Sequence, residues 1–82
     1  MKVKSVRITF KEMVDTGKSG LYCLPDYEHK VVQVIEGQAS VDALHYLVRD
    51  GMVCINYKDT HTGDRIGDSY PIQDIVRVQT SL

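Results

Sequence analysis

The stretch Lys30-Val31-Val32-Gln33-Val34-Ile35, KVVQVI, constrains the fold more than any other in the chain. Four of its six side chains branch at Cβ, which stiffens χ1 and suits a pleated surface better than a helical one. Glu36-Gly37-Gln38 then breaks the run, so it reads as a short, well-buried strand. Such a strand has a backbone donor and acceptor at each residue to satisfy, and the rest of the chain must supply its neighbours.

Several segments qualify. From Val3 to Phe10, Val6, Ile8 and Phe10 alternate with Arg7 and Thr9, the period of a strand with one dry face. Beyond Phe10 two continuations compete. Thr9 and Glu12 have capping-box spacing, and Phe10, Met13 and Val14 would give a short helical face ending at Gly17. Alternatively the strand bends and continues to Val14, with Asp15 to Gly20 as a hairpin connection. The second is favoured, because Gly17 and Gly20 bracket a polar cluster of the kind that closes short loops. Leu21 to Leu24 then form the return strand, which ends at Pro25 or lies at a sheet edge, and PDYEHK is a polar connection into the KVVQVI strand.

Further on, Met52 to Tyr57 is nearly continuous in apolar residues and reads as a central strand. Asp59 to Asp64 is a turn cluster, Arg65 to Tyr70 a returning strand weakened by Gly67, Pro71 to Asp74 a tight turn, and Ile75 to Thr80 a closing strand. Between Gln38 and Met52 the pattern is helical. Ser40 is placed to cap, Asp42 and Arg49 suit the two ends of the dipole, Gly51 suits the left-handed exit, and Val41, Leu44, Leu47 and Val48 fall on one face. The expected fold is therefore α+β within one domain, residues 1–82. It is a small, strongly bent antiparallel sheet, or a partial SH3-like or OB-like barrel of five to six strands, with one short helix from residue 39 or 40 to residue 50.

Composition narrows the function classes. A net charge of −1 supplies no global field to attract nucleic acid or an anionic membrane. No apolar run approaches the roughly 18 residues of a membrane span, and the N-terminal residues lack a signal-peptide core, so a cytoplasmic location is expected. Cys23 and Cys54 form no C-x-x-C and read as thiols packed like small hydrophobes, while His29, His45 and His61 lack the paired spacing of a zinc site.

Two motifs invite chemistry. Gly17-Lys18-Ser19 ends like a nucleotide-binding P-loop, yet the position that requires glycine is Glu12, and the residues that should open a helix read GLYCLP. Lys18 is left as an exposed charge in a turn. Asp59, His61, Asp64 and Asp68 resemble a calcium loop only loosely: the fifth position is Gly63, and the twelfth, where a bidentate glutamate belongs, is Tyr70. Asp and Thr in such turns are explained by side-chain bonds to the backbone. Neither a metal nor a cofactor is expected.

With no catalytic constellation, the reading is a non-enzymatic protein-binding module, a small regulator or inhibitor of the sort encoded by phage or other mobile elements. Five tyrosines against one phenylalanine and no tryptophan support it, because tyrosine joins a large apolar ring to a polar tip. The candidate contacts are Lys18, Tyr22, Tyr27, Tyr57, Arg65 and Tyr70. The alternatives are a nucleic-acid-binding barrel, with Tyr22, Tyr27 or Tyr57 as stacking platforms and Lys18, Lys58, Arg65 and Arg77 on phosphates, or an oligomer that builds a small-ligand pocket at its interface.

Overall fold

A computed structural model of the chain describes residues 1–19 and 25–82. It contains six strands: β1 (Ser5–Ser19), β2 (Pro25–Ile35), β3 (Val41–Arg49), β4 (Met52–Asp59), β5 (Arg65–Pro71) and β6 (Ile75–Ser81). Among the described residues the helical content is a single 3-10 turn, Ile72–Asp74. The strands sort into two antiparallel sheets of three, in the orders β2-β1-β6 and β3-β4-β5.

The fold is thus nearly all β, and the α+β expectation is overturned: where a helix was expected, residues 41–49 form strand β3. Its neighbour β4 pairs with it from Arg49↔Met52 backward, across a two-residue loop of Asp50 and Gly51. Both loop residues have positive φ, 54° and 73°, the conformation that a tight hairpin with right-handed strand twist demands. At the other end Ala39 and Ser40 are also left-handed, at 48° and 67°, and the Val41 N–H donates to the Gln38 carbonyl at 2.9 Å. The residues that imitate a helix cap and a helix exit are therefore two tight turns. A bulge between Asp42 and His45, marked by Ala43 at φ 50°, puts Leu44 on the core side. Leu47 and Val48, which a helical stripe would bury, are 47% and 49% exposed.

Among the described residues no single bent sheet or partial barrel wraps a helix. One core lies between the two sheets instead, made of Val3, Val6, Ile8 and Phe10 with Val41, Leu44, Val53 and Ile55. The alternation read in Val6, Ile8 and Phe10 is the inward face of β1. The segment before β1 lies along β3: Val3 N–H donates to the Leu44 carbonyl, Tyr46 N–H donates to the Met1 carbonyl, and Lys2 bridges His45. This segment covers part of the edge of the second sheet. As the sequence indicates, β4 is the central strand of its sheet, and β5, the 3-10 turn and β6 follow in turn.

Three other expectations change. KVVQVI is the C-terminal half of an edge strand; Val32 and Val34 pack against the core, but Val31 is 41% exposed. PDYEHK is its N-terminal half, not a connection. The third change concerns β1, which runs past Val14 to Ser19, so that the GKS triplet lies in a strand and neither the 10–17 helix nor a loop from Asp15 is formed. The return strand read at Leu21–Leu24, with Cys23, lies outside the described residues; Cys54 is a free, half-buried thiol.

Candidate functional site

β6 pairs with β1 only as far as Phe10, whereas β2 accompanies β1 to Ser19. Beyond Phe10 the first sheet therefore narrows to a two-stranded arm. At roughly 3.3 Å per residue, a strand of fifteen residues spans about 50 Å, and the molecule measures 48 × 30 × 21 Å. Of the arm's described side chains, from Lys11 to Gly17 and from Asp26 to Val31, all are exposed except the half-buried Thr16.

The root of the arm is a bulge. Thr9 pairs with Val31 and Met13 with His29, so β1 has two more residues than β2 between these pairs. His29 fills the irregularity, its Nδ1–H donating to the Phe10 carbonyl at 2.8 Å. Farther out, Asp15 accepts the Gly17 N–H at 2.8 Å, where Gly17 takes φ 75°, and the Thr16 hydroxyl donates to the Asp26 carbonyl at 3.3 Å.

Cross-strand partners share a face, so the register sorts the arm's side chains. Thr9 with Val31, Met13 with His29, and Asp15 with Tyr27 lie on the outer face. There Met13, Tyr27 and Val31 are 48%, 54% and 41% exposed, a row of large apolar groups in water. The opposite face continues the inward row of Val34 and Val32 as Lys30, Glu28 and Asp26. It pairs Glu28 with Val14 and sets Lys30 Nζ 3.8 Å from Glu12 Oε2. The outer face thus carries Met13, Tyr27 and Val31 with Asp15 and His29 among them, and the other face is mainly acidic.

A cleft of about 400 Å³ opens where the arm meets the second sheet, lined by Phe10, Lys30, Tyr70, Pro71 and Asp74 among others. Phe10 and Tyr70 meet edge to face with centroids 5.2 Å apart, and Lys30 Nζ lies 5.6 Å from the Phe10 centroid. Burial above all, then the charge of Asp68 and the nearby Tyr57, raise the Tyr70 hydroxyl above its ordinary pKa.

The residues singled out from sequence are dispersed. Tyr27 is exposed on the arm. Tyr57 and Tyr70 pack against the core. Arg65 lies opposite Lys58 on the outer face of the second sheet, where it donates to Asn56 Oδ1. Arg77 sits opposite Thr9 on the other sheet. The Lys18 backbone is in β1, its side chain is outside what is described, and Tyr22 is outside the described residues. Met13, Val31 and His29 were not singled out as contacts, and only the Met13–Val14 pair beside a polar cluster hinted at them. In the 59–64 turn, Asp59 Oδ1 accepts the His61 N–H at 2.8 Å and Thr62 Oγ1 accepts the Asp64 N–H at 3.2 Å, the local bonds expected of these residues.

Among the described residues no helix is long and apolar enough to cross a membrane. No protein-family model, curated protein or solved structure matches this chain.

Proposed function

We propose that this chain is a non-enzymatic protein-binding module, acting as a small regulator or inhibitor by occupying a partner's surface, and that the partner docks on the outer face of the β1–β2 arm. One observation carries the reading: the arm displays Met13, Tyr27 and Val31 with no packing layer over them among the described residues. A two-stranded ribbon is marginally stable alone in water, so an arm of this length gains from any surface that covers its apolar face. Tyr27, with a large ring and a polar tip, is the natural anchor. Tyr57 and Tyr70 pack against the core and support the fold.

The test is a photo-crosslinking residue placed at Tyr27 and, as control, at Thr62 in the far turn. One protein captured in stoichiometric yield from position 27 and not from 62 is the expected result. Tyr27→Ala lowers that partner's affinity about tenfold or more without loss of stability, whereas Tyr57→Ala destabilises the fold by about 2 kcal/mol or more. Equal capture from both positions, or salt-sensitive binding of a labelled single strand in place of a protein, overturns the reading.

A further inference from the structure

β2 is an edge strand of eleven residues. Among the described residues no strand pairs with its outer edge, and Val31, Val32, Val34 and Ile35 give it strong β propensity. A long edge of this kind is a template for another strand unless charge or shape blocks it. Its charges are Asp26, Glu28 and Lys30, and their spacing decides what the edge accepts.

We infer that β2 pairs antiparallel with β2 of a second copy about a two-fold axis through His29, joining the two first sheets into one sheet of six strands. In this register Glu28 faces Lys30 of the second copy and Lys30 faces its Glu28, two opposite-charge pairs on the inner face. On the outer face Tyr27 meets Val31 of the second copy, and Val31 its Tyr27, two aromatic–β-branched pairs of the kind that stabilise sheets. Sliding the copies by two positions one way sets Lys30 against Lys30; sliding the other way pairs Asp26 with Lys30 twice but sets Glu28 against Glu28, so only the register through His29 has two opposite-charge pairs and no like-charge pair. Charge complementarity therefore selects one register and marks the occupant as a copy of this chain. Glu12, 3.8 Å from Lys30, leaves it available, because Lys30 and Glu12 keep 48% and 65% of their side-chain surface exposed. Pro25, without an N–H, stands at the end of the paired segment, where proline is tolerated. Pairing through the edge leaves the outer faces of both arms uncovered and side by side.

Sedimentation equilibrium of the purified full chain tests this, with circular dichroism as the check on folding. The wild type sediments as a concentration-dependent dimer. Lys30→Glu sets two glutamates opposite each other and weakens the dimer roughly tenfold, as does Glu28→Lys, while the double swap Glu28→Lys/Lys30→Glu restores it. A wild type that stays monomeric at high micromolar concentration overturns the proposal. So does a dimer indifferent to both single changes, or a swap that fails to rescue. The proposal stands apart from the partner-binding reading: a monomeric Lys30→Glu variant that still cross-links its partner from position 27 separates the two.

Discussion

His29 spans the bulge at the root of the arm, its Nδ1–H on the Phe10 carbonyl at 2.8 Å. Among the described residues Phe10 is the last buried side chain of β1 and the last residue of β1 paired with β6, so this bond lies where a three-stranded sheet becomes a two-stranded one. It ties the exposed ribbon to a residue fixed by the core.

His29→Ala removes the donor and leaves a part-buried carbonyl without it, at a cost of about 1 kcal/mol. Because the described residues of the arm contribute no buried side chain beyond Phe10, that cost should fall on local opening. Amide exchange at Met13 to Asp15 is expected to speed up about fivefold, the factor corresponding to 1 kcal/mol, while amides of Val53 to Ile55 keep their protection. Equal loss of protection in both regions would show that the arm does not open as a separate unit.

Much of the second sheet was legible in the sequence. The apolar run Met52 to Tyr57 has neighbours on both sides, and the polar turn at Asp59–Asp64 has the side-chain chemistry that closes hairpins. The segment 39–50 misled for a physical reason: the same residue types end helices and make tight turns. Ser40 and Gly51 served as cap and exit signals, yet both are left-handed turn residues, and an Asp-Gly pair flanked by apolar residues is also a strong hairpin signal. The bulge at Ala43 then shifted the inward residues to Val41 and Leu44, a spacing of three that imitates a helix. PDYEHK failed differently. A strand with water on both faces needs no alternation of apolar and polar residues, so nothing in its pattern distinguishes it from a loop. Of the candidate site, Tyr27 lies in that segment and was visible as a tyrosine; Met13 lies on the unexpected extension of β1, and Val31 in a run whose pattern reads as buried on both faces.

The strand assignment of β3 makes a sharp prediction. On a helix Leu44 and Leu47 would share a buried face; on β3 Leu44 is fully buried and Leu47 is 47% exposed. Leu44→Ala should cost about 2–5 kcal/mol, and Leu47→Ala no more than about 0.5 kcal/mol. Chemical denaturation of both variants measures the difference. Comparable losses at the two positions would contradict the strand.

Tyr70 predicts an alkaline limit to stability. Its hydroxyl is raised above the ordinary value of 10.0, first by burial and then by Asp68 and Tyr57, because each disfavours the phenolate in the folded chain. The unfolded chain therefore ionises at lower pH than the folded one. Below the unfolded pKa both states hold the proton, and the contribution of Tyr70 is fully present. As pH rises past about 10 the unfolded state loses its proton first, and stability falls until the folded pKa is passed. Tyr70→Phe keeps the ring that meets Phe10 edge to face at 5.2 Å and removes the ionisable group. The expected outcome is that the denaturation midpoint of the variant drops less between about pH 9 and about pH 11 than that of the wild type. Parallel losses in the two proteins would place the alkaline sensitivity in other groups and leave Tyr70 as a packing residue at the edge of the core.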